Sequence, residues 1–246
     1  MVLLTEHHGV IRAVARGARR PGSRFAGRLE PFMHVRVMLH RGRELDVVSQ
    51  AETVDGHQNL RSDYDSFLFG QPMLELSWRS LQEGQDSSPV FRALAVSLGC
   101  LEEKAADPPL LLAAFELKLC SLLGFRPAFS RCAHCGASLH SPLTRFDPEA
   151  GGAACPACAP STSPRRLVDA GTLALAEELL ALPLRELAGL GVGLETTAAL
   201  LRLAAEYTES HLGIRLRSHE VALQHLGTRG ADPQGRGGGD ARGGVG

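Results

Sequence analysis

The sequence has few of the residues that mark several common classes of protein. Among 246 residues there are one Trp, two Tyr and a formal net charge of only −1. A near-zero charge argues against a uniformly basic nucleic-acid packaging protein, although it leaves the distribution of charge open. The longest apolar stretch, residues 110–125, is interrupted by Glu116 and Lys118, so it is not a membrane span.

Targeting and catalytic motifs are also missing. The first residues lack the basic start and long apolar region of a secretion signal, which predicts a cytoplasmic, reducing environment. No phosphate-binding Gly-rich loop, Gly-x-Ser-x-Gly elbow or His-Glu-x-x-His motif is present. We therefore predict that the protein is not an enzyme, and we keep an enzyme of unknown class as an alternative.

Charge is distributed unevenly along the chain. Residues 1–50 carry nine Arg and four acidic residues, a net charge of +5, whereas residues 51–128 have a net charge of −5. Six of these Arg lie between His7 and Leu29, a stretch without Asp or Glu. Such a local excess is typical of a surface that binds a phosphate backbone. A solvated basic loop without a partner gives the same pattern, so charge alone leaves both interpretations open.

Hydrophobic periodicity divides the chain into three parts. Residues 1–55 contain short alternating stretches between Gly and Pro turns, which predict a small β-barrel or sandwich. Residues 56–226 have helical spacing around a loop-like segment, and residues 227–246, with nine Gly, predict a disordered tail. The predicted helices lie near 64–81, 89–103, 108–123, 169–182, 195–212 and 218–226.

Four of the six Cys carry the strongest chemical signal. Cys132 and Cys135 form one Cys-x-x-Cys pair, and Cys155 and Cys158 form a second pair after nineteen intervening residues. This spacing is typical of a structural zinc site with four thiolate ligands. The surrounding segment, residues 130–160, is too short to fold by core burial alone, so metal binding would supply its folding energy.

Other interpretations of the cysteines remain open. Cysteine ligands do not by themselves decide the metal, so an iron–sulfur cluster is a minor alternative, and a catalytic dithiol is a weaker one. His134 and His140 are ligands only if they replace a cysteine. Cys100 and Cys120 lie in apolar helices and are predicted to be core residues.

Three stretches of the sequence resemble one known family. Residues Thr5–Phe32 resemble a strand–loop–strand, Phe115–Gly136 resemble a helix that leads into a zinc motif, and Tyr207–Ser218 resemble a closing helix. The second stretch is the most specific because the helix, Gly124, Pro127 and a Cys-x-x-Cys pair occur together. The family that shares these stretches is that of the bacterial DNA repair protein RecO.

The resemblance implies a fold of the α+β class. A small β-barrel of the OB-fold type, residues 1–55, would bind DNA and precede a helical domain of residues 56–226 with an inserted four-Cys zinc finger. Members of the family usually have about one more strand before the stretch equivalent to Met1-Val-Leu-Leu. We therefore expect a barrel that lacks its first strand.

The resemblance also implies a non-enzymatic, nucleoid-associated recombination mediator. Such a protein binds single- and double-stranded DNA, anneals complementary strands and acts with the recombination protein RecR. It helps to load recombinase onto strands coated by single-strand-binding protein. We expect structural zinc on the four cysteines and the acidic C-terminal tail of single-strand-binding protein at Arg215 and Arg217. The expected DNA contacts are Arg12, Arg16, Arg19, Arg20 and Arg24.

A different class of protein also accounts for the Arg and Cys pattern. A zinc-stabilised DNA-binding or transcription-associated module would have the same basic segment and the same four cysteines. Strand annealing and RecR binding distinguish the two hypotheses, because the simple module would show neither.

Overall fold

The computed structural model describes residues 1–18, 20, 22–23, 25–159 and 165–231. Arg19, Arg24 and the tail from residue 232 onwards lie outside the described residues, as does residue 160 at the end of the predicted zinc finger. The described residues form an α+β fold, in which an N-terminal sheet precedes a group of helices that carries a second, smaller sheet.

The N-terminal sheet has four strands. They are β1 (Val2–Leu4), β2 (Val10–Val14), β3 (His34–His40) and β4 (Asp46–Asp55). Their order is β1-β2-β4-β3, with β2 parallel to β4 and the other neighbours antiparallel. Strands β1 and β3 are edges, so the described strands form an open sheet, and the OB-fold barrel without its first strand that we expected is not confirmed.

Apolar and polar residues alternate along the strands, which gives this sheet one apolar face. In β3, Val37 and Leu39 pack against a small apolar cluster, while Arg36 is exposed on the other face. The buried members of this cluster are Ala13, Phe25, Val48 and Ala51.

The helices carry the main core. Helix α4 is buried on almost every side, as expected for a helix that is apolar all round, and Pro108-Pro109 begin it. It packs against α2, α3, α5 and α6, and its buried residues join the largest hydrophobic cluster. The helices are α1 (Gln58–Ser62), α2 (Tyr64–Arg79), α3 (Ser88–Glu102), α4 (Pro108–Leu122), α5 (Ala170–Ala181), α6 (Leu194–Leu212) and α7 (Arg217–Ala231).

Local capping sets two of the helix starts. The carboxylate of Asp169 accepts a hydrogen bond from the backbone N–H of Thr172 at 2.9 Å, which confirms the predicted cap of α5. The carboxylate of Asp63 caps α2 in the same way through Ser66 and also binds Lys104 Nζ at 3.0 Å. The Ser66 N–H, followed by Lys104, lowers the pKa of Asp63 to about 2.

Two segments differ from the sequence-based interpretation. The segment predicted to be loop-like, residues 130–164, contains β5 (Leu143–Asp147) and β6 (Gly152–Ala154), which form a three-stranded sheet with β7 (Leu167–Asp169) in the order β6-β5-β7. Helix α7 extends to Ala231, five residues into the predicted tail, because Ala222 and buried Leu226 anchor it to the core. No described helix is long and apolar enough to cross a membrane.

Candidate metal centre and nucleic-acid interface

The four cysteines of the two Cys-x-x-Cys pairs converge in space. One Sγ atom from each of Cys132, Cys135, Cys155 and Cys158 lies within 4.8 Å of the others. Tetrahedral zinc–sulfur bonds of about 2.3 Å place neighbouring sulfurs about 3.8 Å apart. The Sγ atoms of Cys135 and Cys155 are 3.7 Å apart. The donor set and its spacing therefore fit a tetrahedral four-thiolate metal site.

Backbone geometry positions each cysteine pair. The N–H of Gly136 donates to the carbonyl of Cys132 at 2.9 Å, and Gly136 has a φ of 73°, a left-handed conformation that favours glycine. In the second pair, the N–H of Cys158 donates to the carbonyl of Cys155 at 3.0 Å. The N–H of Cys155 also donates to Cys132 Sγ at 3.3 Å and so joins the two turns.

The small sheet holds the two turns together. Strand β6 leads directly into Cys155, and the N–H of Ala153 donates to the carbonyl of Ala128 at 2.8 Å. A Cβ atom at Gly152 would lie 2.1 Å from that carbonyl oxygen, so only glycine permits this approach. The ring of Phe146 lies 6.3 Å from the ring of Tyr207 in α6, which packs the small sheet against the helical core.

The crowded thiols favour a cation among them. Burial raises the pKa of Cys132, but the backbone N–H groups of Cys155, Cys135 and His134 outweigh burial and lower the pKa to about 6. Hydrogen bonding to Cys135 raises the pKa of Cys158 to about 12. Four thiolates at this spacing repel one another, and a bound cation would relieve that repulsion.

A buried carboxylate supports the first cysteine pair. Asp147 at the end of β5 is 1% exposed and lies 2.9 Å from His134 Nε2, which is between the two cysteines of that pair. Its other oxygen lies 2.5 Å from Arg165 Nη1 and accepts the N–H of Ala150. His134 therefore holds the turn from outside the cysteine cluster. The sequence did not indicate Asp147, because only the tertiary fold brings these groups together.

The remaining two cysteines lie in the helical core, as predicted. Cys100 and Cys120 are fully buried, and Cys120 Sγ contacts Thr208 Oγ1 at 3.5 Å. Burial raises the pKa of Cys120 to about 11, so this thiol stays protonated at neutral pH.

Three of the predicted DNA-contacting arginines lie in the described part of the chain, and all three are exposed. Arg12 lies on β2, and Arg16 and Arg20 lie in the segment that follows this strand. In the part of the chain that the structure describes, none of the three forms an ion pair within 4.0 Å. Their positive charges are therefore available to a phosphate backbone.

The sheet adds two arginines that the sequence did not indicate. Ala13 of β2 is opposite Asp46, the first residue of β4, so the β3–β4 turn ends beside the strand that carries Arg12. Arg41 and Arg43 are exposed in this turn. They lie within the basic N-terminal part of the sequence, but only the parallel pairing of β2 with β4 brings their turn beside the strand that carries Arg12.

The predicted partner residues lie beside α7. Arg215 is exposed, and its Nε lies 3.8 Å from Glu209 and 3.4 Å from Glu220. Arg217 is the first residue of α7 and is also exposed. The surroundings of Arg215 are therefore acidic, which was not apparent from the sequence motif.

The fold and the site define a class of protein in which an N-terminal β-sheet unit with an arginine-rich surface is joined to a helical unit that carries a four-cysteine metal-type site. Comparison with known families places the chain within this class. The family model described as Recombination protein O N terminal matches residues 1–57, and the one described as Recombination protein O C terminal matches residues 61–220. The chain belongs to the RecO family of DNA repair proteins.

Curated relatives agree with this assignment. The chain is 37% identical over 222 residues to the DNA repair protein RecO of Symbiobacterium thermophilum, covering 89% of this chain and 88% of that protein. It is 34% identical to the protein of the same name from Pelotomaculum thermopropionicum, covering 89% and 84% respectively. The Thermobifida fusca DNA repair protein RecO is 40% identical over 165 residues, which is 66% of this chain and 67% of that protein. These matches support a role in DNA repair.

Proposed function

We propose that this protein is a non-enzymatic recombination mediator that binds single- and double-stranded DNA and anneals complementary strands. The observation that carries this proposal is the set of exposed arginines in the N-terminal sheet and its connecting segments, namely Arg12, Arg16, Arg20, Arg41 and Arg43. We propose that Arg19 and Arg24, which lie in the same stretch of the sequence, also contact DNA. The family membership of the chain supports DNA as the partner.

Electrostatic contacts dominate the proposed DNA interaction. Phe25 and Phe32, the aromatic residues of the basic segment, are both 3% exposed, so they do not offer their rings for base stacking. Binding that depends on arginine–phosphate contacts is independent of base sequence and falls steeply with salt. We also propose that the four strands form the larger part of an OB-fold, as the resemblance implies.

Annealing follows from the same charge pattern. Two single strands repel each other through their phosphates, and an arginine surface that contacts both strands lowers this repulsion. The protein then acts by holding strands together and needs no catalytic group. We also propose that the protein helps to load recombinase, together with RecR, onto strands coated by single-strand-binding protein. The complex that anneals strands would serve this second role.

An annealing assay tests this proposal. Two complementary oligonucleotides carrying a fluorophore and a quencher are mixed with the protein, with and without single-strand-binding protein. We expect the protein to accelerate quenching, and a variant with Arg16→Gln and Arg20→Gln to anneal more slowly. An intact protein that binds DNA but gives no acceleration would instead be a simple DNA-binding module.

For the cysteine cluster we propose a structural zinc ion. Cys132, Cys135, Cys155 and Cys158 would occupy all four coordination positions, so the ion would fold the segment and leave no open site for substrate. Metal analysis of protein purified under reducing conditions tests this. We expect about one zinc per chain, and a content well below that, or iron in its place, contradicts the proposal.

For partner binding we propose that Arg215 and Arg217 contact the acidic C-terminal tail of single-strand-binding protein. Arg217 is exposed at the start of α7, which supports the proposal, whereas the two glutamates beside Arg215 weaken it. A labelled tail peptide titrated with Arg217→Ala and Arg215→Ala variants tests each residue separately. Unchanged affinity in both variants places the tail elsewhere.

A further inference from the structure

The four-cysteine cluster exposes some of its sulfur atoms and buries others. Cys135 and Cys158 are exposed, Cys155 is partly buried, and Cys132 is only 3% exposed. An ion enclosed by four thiolates has no open coordination position, so a reagent from solvent meets the sulfur ligands first. A thiolate that solvent reaches is a nucleophile and is open to oxidation. The exposed side of the cluster is therefore the side at which an oxidant acts.

A second sulfur lies close enough to Cys135 to capture an oxidised form of it. Cys155 Sγ, which belongs to the other turn, is 3.7 Å from Cys135 Sγ. A disulfide bond is about 2.05 Å long, so the two sulfurs need to approach by only about 1.7 Å. Cys132 is less available, because it is buried and its Sγ accepts the backbone N–H of Cys155 at 3.3 Å. The geometry therefore favours Cys155 as the partner of Cys135.

Contacts that do not involve a metal keep these two sulfurs together. The N–H of Ala133, in the first turn, donates to the carbonyl of Ala153, just before the second turn, at 2.8 Å. Ala153 is also paired with Phe146 across β5 and β6, and Phe146 is buried against the helical core. When a thiolate is oxidised, these contacts hold the turns beside each other, so the nearby thiolate attacks before the turns separate.

We propose that Cys135 and Cys155 form an oxidation site for hydroperoxides, at which a disulfide bond replaces the bound metal ion. Release of the metal rests on the zinc site proposed above, whereas the choice of the two sulfurs rests on their own distance and exposure. The disulfide joins the same two turns that the ion joins, so reduction in the presence of metal returns the cluster to its starting state.

The reaction consumes one peroxide for each disulfide. The Cys135 thiolate attacks one oxygen of hydrogen peroxide, so that an S–O bond forms, the O–O bond breaks and hydroxide leaves. The Cys155 thiolate then attacks the sulfur of this sulfenic acid, an S–S bond forms and a second hydroxide leaves. The two thiolates supply the two electrons that reduce the peroxide, and two protons from solvent turn the hydroxides into water. The disulfide removes half of the ligand set, and the remaining thiolates do not complete a tetrahedral site.

Peptide mapping identifies the sulfurs that react. The metal content of the full chain is measured, hydrogen peroxide is added, and released metal is followed with a chromogenic chelator. The chain is then alkylated and digested with trypsin, which places the first cysteine pair in residues 132–145 and the second in residues 146–165. A disulfide between the turns links these two peptides, whereas a disulfide within either pair leaves them separate. Fragmentation of the linked peptides shows which cysteine of each pair is joined.

We expect linked peptides joined through Cys135 and Cys155, release of the metal in the same proportion, and recovery with dithiothreitol and zinc. The fully buried thiols of Cys100 and Cys120 are the internal control and should remain reduced. Two variants that each lack one ligand are compared. Cys158→Ser keeps both reacting sulfurs and should still give the linked peptides, whereas Cys155→Ser should lose them.

Four results would overturn the proposal. The first is disulfide formation within the two pairs or through other cysteines. The second is an equal yield of linked peptides from Cys155→Ser and Cys158→Ser. The third is oxidation of Cys100 and Cys120 at the same rate as the cluster, and the fourth is a disulfide that forms while the metal stays bound. A chain that contains no zinc but still gives the Cys135–Cys155 link would contradict the zinc site and support the oxidation site.

Discussion

The salt dependence of DNA binding is the most direct measure of the arginine surface. The perturbation is the double substitution Arg16→Gln and Arg20→Gln. Both side chains are exposed and unpaired within the described chain, so we expect the free energy of unfolding to change by less than about 0.5 kcal/mol. Any loss of affinity then reports on DNA contacts and not on the fold.

The magnitude follows from counterion release. Each phosphate contact on a single strand contributes about −0.7 to the slope of log affinity against log salt, so losing two contacts flattens the slope by about 1.4. Between about 50 and about 200 mM salt, the wild type should therefore lose about sevenfold more affinity than the variant. Fluorescence anisotropy with a labelled single-stranded oligonucleotide measures both slopes.

A charge-matched control separates local contacts from net charge. Arg126→Gln and Arg185→Gln remove the same two positive charges from the helical part of the chain, where these residues pair with Glu177 at 3.4 Å and Glu103 at 3.7 Å. We expect this control to keep the wild-type slope. The reasoning is refuted if the Arg16 and Arg20 variant, with its fold intact, has the slope of the wild type, or if both double variants flatten it equally.

Further predictions concern the metal site and the stability of the fold. The Cys135→Ser variant should lose the bound metal, because three thiolates hold the ion less well than four. Its melting temperature should then be the same with and without a chelator. An unchanged metal content argues against Cys135 as a ligand. Asp147→Asn should lower the free energy of unfolding by about 1–3 kcal/mol. It should also lower the metal affinity, measured by chelator competition, by about tenfold or more. Wild-type metal affinity would show that the Asp147 carboxylate does not support the metal site. Gly152→Ala should destabilise by about 1–3 kcal/mol in urea unfolding, because its Cβ meets a carbonyl oxygen at 2.1 Å, while Gly189→Ala, with open space around it, should change little. Asp63→Ala should cost about 0.5–2 kcal/mol at pH 7. Since folding lowers the pKa of Asp63 from 3.8 to about 2, this difference should shrink as the pH falls from 4 towards 2, and a difference at pH 2 as large as that at pH 7 contradicts the assigned cause.

The metal site divides into a part that local sequence predicts and a part that it does not. Two Cys-x-x-Cys pairs are a local pattern, and their convergence within 4.8 Å agrees with the prediction. Strands β5 and β6 beneath them were predicted to be a loop, because these strands are only five and three residues long. Such short strands give little alternation, and their pairing depends on contacts with the helical core.

Several features depended on contacts between residues far apart in the chain. Periodicity and capping residues indicated the helices from α2 to α6, since Pro108 and Asp169 act within one turn. The end of α7 was not apparent, because packing of Leu226 against the core holds a Gly-containing segment in a helix. The acidic surroundings of Arg215 were equally invisible, since Glu209 and Glu220 belong to two different helices.

The sequence by itself determined the elements whose causes are local, namely the basic N-terminal segment, the helices and the four cysteines of the candidate metal site. The family followed from motifs that lie within short stretches of chain. Only the tertiary structure decided which charges meet. Parallel pairing of β2 with β4 brings Arg41 towards Arg12, and packing of α4 against α7 buries Glu116 beside His219. Contact between distant segments depends on the packing of the whole chain, and no local pattern encodes it.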